Sequence, residues 1–247
     1  MTEPLIVAYH RSAGVNIPPT RLVIHATAPG LGYPRASAAG QALATAHYFQ
    51  SPTSGGSAHH VADVSTIVRC LPDDAIAWHA PPNPHSLGYE VCGEASYTRE
   101  QWLSPQVWPA VVLTAAQVKA DAAIYRIPLV RLGPADLLAG AHGICGHVDV
   151  SHAWHQSDHT DPGPGFPWPE FMALLTPATP PTVEDDDMGT LFRSSDPADP
   201  RWFVLTASAG PRHIKTPAEL YLLRLRGLVQ PGEPIVVSPA DLKAMGV

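Results

Sequence analysis

Short apolar runs, each stopped by proline, glycine or a polar turn, set the rhythm of this chain. The run Arg21-Leu-Val-Ile-His-Ala-Thr27 is too short for a helix and predicts a buried strand carrying His25 near its end. Residues 34–50 are alanine-rich, and Ala39, Leu43, Ala46 and Phe49 recur at helical spacing. Ala58 to Leu71 reads as two strands joined at Ser65-Thr66. Ala75 to Ala80 is a further short strand, stopped by Pro81-Pro82, and Ser86 to Cys92 is another. The longest expected helix runs from Ser104 to Arg126. Pro105 would sit in its first turn, with Val107, Val111, Leu113, Val118 and Ile124 facing inward. Ile144 to Val150 reads as a last short strand and Trp168 to Leu175 as a closing helix. Strands and helices alternate, which predicts an α/β domain with a central mixed β-sheet flanked by helices.

After Thr176 the pattern changes. Residues 177–190 combine three prolines with Glu184-Asp-Asp-Asp187, the composition of a stiff, solvated linker. Beyond it, residues 201–214 can form a hairpin around Ser208-Ala-Gly-Pro211. Thr216-Pro217 opens a helix through Leu223, Ile235–Val237 is a strand, and Ser238-Pro239 begins a last turn. The expected layout is therefore a main domain at 1–176, a linker at 177–190 and a small α+β C-terminal domain at 191–247.

Composition narrows the function classes. The chain has 247 residues, 28 of them proline, and only 15% are charged, which argues against long continuous helices and excludes a coiled coil. No apolar run approaches the ~20 residues of a membrane span, and the N-terminus lacks the basic and apolar regions of a secretory signal. The net charge of −7 divides into −5 for residues 1–176, −4 for the linker and +2 for the tail, so no nucleic-acid partner is expected. Cys70, Cys92 and Cys145 form no C-x-x-C pair and read as reduced, buried thiols.

Histidine is more suggestive, with five of the 13 lying between His142 and His159. A catalytic zinc needs three protein ligands and one open position. His25 at a strand end, His147 after a second apolar run and Asp161 in the rigid Asp-Pro-Gly-Pro-Gly segment could supply them. From the residues alone, structural histidines and an ordinary Asp-Pro turn remain the competing reading. His59 and His60 alternate, so the two should face opposite sides of a sheet.

Six blocks occur in order: Ile24-His-Ala-Thr27, Ser57-Ala-His59, Ala77-Trp-His-Ala80, Ser86-Leu-Gly-Tyr-Glu90, Gly146-His147 and His159-Thr-Asp-Pro-Gly-Pro-Gly-Phe-Pro-Trp168. Together they resemble the type 2 zinc-dependent N-acetylmuramoyl-L-alanine amidases, relatives of peptidoglycan recognition proteins, over roughly residues 21–175. The resemblance implies Zn²⁺ as cofactor, with His25, His147 and Asp161 as its ligands. It implies Glu90 as general base, and His59, Trp78 and His79 as substrate-cleft residues. His159 stands where several relatives carry a lysine that steadies the oxyanion, and an imidazole there would act as donor in a pH-dependent way. Thr27 and Asp149 are the expected partners of the two histidine ligands.

The activity implied is hydrolysis of the amide between N-acetylmuramic acid and L-alanine in peptidoglycan, in the manner of a phage endolysin. Such an enzyme would be made in the host cytoplasm and act at the cell wall after release. The alternatives are a muropeptide-binding module without catalysis and a recycling amidase for soluble wall fragments. A zinc protease of the H-E-x-x-H type is excluded, because that motif does not occur. For residues 191–247 an anionic wall polymer is the expected partner, met by Trp202, Arg201, Arg212, Lys215, Arg224 and Arg226. The competing reading is that this segment packs on the main domain or promotes self-association.

Overall fold

Arg21–Ala26 forms an interior strand of a five-stranded sheet, because five of its six residues are buried and neither face can meet water. The computed structural model describes residues 4–16, 18–27, 30–176, 190–196, 202–205, 211–214 and 235–244. The chain divides into two units, residues 1–176 and 177–247.

In the first unit the strands are β1 (Arg11–Ser12), β2 (Arg21–Ala26), β3 (His60–Ala62), β4 (Ile67–Arg69), β5 (Ile76–Ala77), β6 (Ser86–Val91) and β7 (Gly143–Gly146). The helices are α1 (Gln41–Phe49), α2 (Arg99–Trp102), α3 (Trp108–Tyr125), α4 (Pro134–Leu138), α5 (His147–Trp154) and α6 (Trp168–Leu175). The main sheet has the order β4-β3-β6-β2-β7, parallel except for the β3–β4 pair, and β1 pairs with β5 apart from it. Helices α1 and α5 cover one face and α3, backed by α6, covers the other. This is the mixed, helix-flanked sheet expected.

Three expectations are corrected. Residues 144–150 are not one strand: β7 ends at Gly146 and α5 begins at His147. The Asp149 carboxylate, three residues into the helix, accepts from the Gly146 N–H at 2.7 Å, a cap that stops the strand there. Helix α3 starts at Trp108 with Pro109, not Pro105, in its first turn. Its inward stripe is Val111, Thr114, Ala115, Val118 and Ala122, whereas Leu113 is half-buried and Ile124 is 66% exposed. At ~100° per residue, those two lie about 120–140° away from Val118 around the helix.

The α3 face of the sheet carries a buried polar cluster. Tyr89 donates to Asp121 at 2.7 Å, and Gln117 also bonds that carboxylate. His60 stacks on Tyr89 at 5.2 Å with its Nε2 3.6 Å from Asp121, so it faces α3, as the alternation with His59 implies. All three thiols are free and buried, and burial pushes Cys145 up to about 12, which leaves it unreactive.

In the second unit, β8 (Thr190–Ser194), β9 (Trp202–Leu205), β10 (Pro211–Ile214) and β11 (Ile235–Val237) form a sheet of order β10-β9-β8-β11, followed by α7 (Pro239–Ala244). The β9–β10 pair is antiparallel, as a hairpin requires, and Leu191, Phe203 and Val204 are buried. β8 takes in Thr190, one residue inside the expected linker, and pairs in parallel with β11. The rest of the expected linker and the helix expected at 216–223 lie outside the described residues. Among the described residues no helix is long and apolar enough to cross a membrane.

Candidate metal and catalytic site

Adjacent parallel strands bring the site together at their C-terminal ends, where open α/β sheets place their ligands. His25 on β2 is in register with Glu90 on β6, so both side chains point to the same face. Ile24 pairs with Gly146 on β7, which sets His147, one residue further, beside His25 at the first position of α5.

Asp161 arrives from the loop after α5, pinned where its carbonyl accepts from Val148 N–H at 2.9 Å. The glycines behind it explain the Asp-Pro-Gly-Pro-Gly composition. A Cβ on Gly163 would lie 1.9 Å from the Ala95 carbonyl oxygen, and one on Gly165 would lie 2.0 Å from that of Tyr97. Only glycine lets this loop lie against residues 95–97 and aim Asp161 inward.

The result is a tight triad. His25 Nδ1 is 3.0 Å from Asp161 Oδ2, and His147 Nδ1 is 3.2 Å from Asp161 Oδ1. One donor atom from each residue lies within 4.8 Å of the others, and all three residues are buried. Burial would raise the Asp161 carboxyl, but the His147 and His25 rings beside it outweigh that effect and hold the group well below the usual carboxylate range. Burial lowers the His147 imidazole, which favours its neutral, ligating form. Around tetrahedral zinc with bonds of about 2.0–2.1 Å, donor atoms stand roughly 3.3 Å apart, close to the spacings seen here. Two imidazoles and one carboxylate, open toward a cleft on the fourth side, fit a zinc ion.

That cleft has a volume of about 1180 Å³, and His25, His147 and Asp161 share its lining with Glu90, Trp78, His79 and His159. Glu90 is pushed up to about 8, first by burial and then by the charge of Asp161. His159 stacks on the His147 ring at 4.4 Å, its side chain 61% exposed and its Nδ1 3.5 Å from Asp161. Trp78 is 41% exposed on the cleft wall, stacked on His10 at 4.7 Å and donating to Ser12, rather than packed in the core. His79 is buried, with its Nδ1 3.0 Å from His25 Nε2.

The expected partners of the ligands are replaced by others. Thr27 exchanges hydrogen bonds with the Gly93 backbone, and Asp149 binds Arg131 and the Gly146 N–H. It is His79 that meets His25, and Ser157 that meets His147, its Oγ 3.3 Å from Nε2. No spacing rule in the sequence marks Ser157.

His59 is also corrected. It is fully buried and absent from the cleft wall, because its two ring nitrogens are taken by the Gly88 N–H and the Ala75 carbonyl, each at 3.0 Å. Burial lowers it from 6.5 to about 4. An unfolded chain therefore binds a proton below pH 6.5 that the folded chain refuses until about pH 4. Stability is full above pH 6.5 and falls as pH drops toward 4, by roughly 3 kcal/mol from this group at ~1.36 kcal/mol per pKa unit. Urea unfolding at pH 7.5 and pH 5 should show about 2 kcal/mol of that loss. A His59→Gln protein should show a smaller difference between the two, and an equal difference would contradict the account.

An α/β sheet whose strand ends converge two imidazoles and two carboxylates on one open cleft has the parts of a hydrolytic site. The comparisons agree. The family described as N-acetylmuramoyl-L-alanine amidase matches residues 16–164, which include every residue of the triad and Glu90. The chain belongs to that family. It is 31% identical over 113 residues to the 1,6-anhydro-N-acetylmuramyl-L-alanine amidase AmpD of Citrobacter freundii, covering 46% of this chain and 53% of that protein. The chain thus spans about half the length of this curated relative. Among solved structures, the Staphylococcus aureus hydrolase AmiA, solved with its ligand, shares the fold at a TM-score of 0.53 and 15% identity, over 71% of this chain and 82% of that one. The catalytic domain of XlyA gives a TM-score of 0.49 at 19% identity, over 71% of this chain and all of that domain.

Proposed function

We propose that this chain is a zinc-dependent N-acetylmuramoyl-L-alanine amidase that opens the bond between muramic acid and L-alanine in peptidoglycan, as a phage endolysin does. One observation carries the reading: the His25–His147–Asp161 triad lies beside Glu90 in a single cleft, inside the family match. Bound zinc would supply a Lewis acid for the scissile carbonyl and lower the pKa of a water toward about 7.

The chain's own groups do the rest. Glu90 takes a proton from the attacking water and returns it to the leaving nitrogen of L-alanine. His159, at the exposed edge of the triad, donates an N–H to the oxygen that gains negative charge. Trp78 forms one wall against which substrate lies, and the room of the cleft suits a sugar with part of a peptide. New amino groups should appear when the zinc-loaded protein meets a soluble N-acetylmuramoyl peptide; none at any concentration would overturn the reading.

A recycling role on soluble fragments is favoured by one observation, the name of the Citrobacter relative. A 1,6-anhydro muropeptide offered beside intact sacculi separates the two, since a lytic enzyme must open the sacculi.

Residues 191–247 are proposed to add wall affinity. Their net +2 contrasts with −5 for residues 1–176, and tethering a weak anionic-polymer binder raises the catalyst's effective concentration at the wall. A chain ending at Thr176, where the first unit ends, should keep its rate on a soluble muropeptide but sediment less with intact sacculi. Equal sedimentation by both lengths would remove the anchoring role.

A further inference from the structure

His79 lies against the outer nitrogen of a metal ligand, and its own far nitrogen is held by a group with only one way to bond. Ser86 Oγ is 2.5 Å from the Asn83 carbonyl oxygen. A carbonyl can only accept, so the single hydroxyl hydrogen of Ser86 points there. That leaves Ser86 Oγ as an acceptor toward His79 Nε2, 2.8 Å away, and His79 must carry its proton on Nε2. His79 Nδ1 is then a lone pair, and it faces His25 Nε2 at 3.0 Å, so His25 Nε2 is the protonated nitrogen.

We propose that Asn83, Ser86 and His79 form a fixed hydrogen-bond relay that holds His25 in the Nε2–H tautomer, leaving Nδ1 as its metal-binding atom. The inference rests on the zinc-site reading above and extends it to residues that touch no metal. Its direction is set by a backbone carbonyl, which cannot reverse. Metal-binding histidines commonly give their outer N–H to a carboxylate, carbonyl or water. Here the acceptor is a neutral imidazole, itself oriented from behind.

The seat of His79 is built to match. A Cβ on Gly88 would lie 2.8 Å from its ring, so glycine at that strand position is what lets the ring lie flat against β6. Asn83 Oδ1 accepts from the N–H groups of His79 and Ala80 at 3.1 and 2.9 Å, closing the 79–83 loop on itself. Fully buried Asn16 bonds both the N–H and the carbonyl of Ser86, at 3.2 and 2.6 Å, which fixes the hydroxyl's origin. With the His25 proton committed to His79, a lone pair at Nδ1 faces Asp161 and calls for a cation between them. His79, Ser86 and Asn83 are therefore positioning residues.

The test uses the full chain with ¹⁵N-labelled histidine. Proton–nitrogen spectra of the metal-free protein should show His79 protonated on Nε2 alone, and those of the zinc-loaded protein should show His25 protonated on Nε2. Chelator competition should show Ser86→Ala weakening zinc about 10- to 100-fold, the usual effect of losing such a partner. His79→Asn keeps an amide oxygen near the Nδ1 position, so it should bind zinc more tightly than His79→Ala. In the His79→Asn background the further Ser86→Ala change should then add nothing. A His79 protonated on Nδ1, or a Ser86→Ala protein with native zinc affinity and native tautomers, would overturn the relay. If the native chain takes up no zinc, the metal reading fails, while the His79 tautomer in the same spectra still decides the relay.

Discussion

A His147→Ala protein should bind no zinc after dialysis against a weak chelator and should lose at least ~10³-fold in amide hydrolysis, since metal activation is worth several kcal/mol. His147 contributes one of the three candidate donor groups found among the described residues, and its Nδ1 and that of His25 bracket the Asp161 carboxylate. Removing it leaves one imidazole and one carboxylate, too few to hold zinc at neutral pH. The fold should survive. His147 stands at the first turn of α5, where alanine is well tolerated, and the cap that starts the helix is made by Asp149 and Gly146. Elemental analysis and circular dichroism on one preparation check both halves. Full zinc content in the variant would contradict the triad.

Glu90→Gln should separate metal binding from chemistry. The amide keeps the shape of the carboxylate and its place beside His25 on the neighbouring strand but cannot take a proton from water. Zinc content should stay at the native level while kcat falls by ~10²- to 10⁴-fold, the usual share of a general base. The pH profile gives a second check. Burial and the Asp161 charge push Glu90 up to about 8, and a cation held by the triad offsets the Asp161 part. The base must be ionised, so the native rate should rise with pH through the Glu90 pKa, at a value above the ordinary 4.5. The residual rate of Glu90→Gln should lack that limb. A variant at the native rate would move the base role elsewhere, with His159 the nearest candidate.

Most of the sheet was legible because its strands are short apolar runs with sharp stops, and β2, β3, β4 and β6 fall where those runs lie. What the pattern hid was local chemistry. Ile144 to Val150 looks like one apolar run, yet Asp149 caps Gly146 and converts its second half into a helix. Ile124 is apolar but lies off the stripe of α3, so hydrophobicity alone misplaces it. In the candidate site, His25, Glu90, His147 and Asp161 are readable from motifs, because each carries its chemistry in its own side chain. His59 is not, since the motif gives its identity but not that Gly88 and Ala75 consume both its nitrogens. The contacts of Ser86, Asn83 and Ser157 were hidden for a related reason: each depends on where other residues sit, and one of those contacts is a backbone carbonyl that no sequence pattern advertises.

The central claim is the identity of the bond that is cut, and digestion of purified sacculi followed by mass spectrometry of the soluble products tests it most directly. The account predicts free stem peptides beginning with an unblocked L-alanine, glycan strands whose muramic acid lactyl groups end in a carboxylic acid, and no such products after zinc is removed. Products cleaved between sugars or within the peptide, with the lactyl–alanine amide intact, would contradict it.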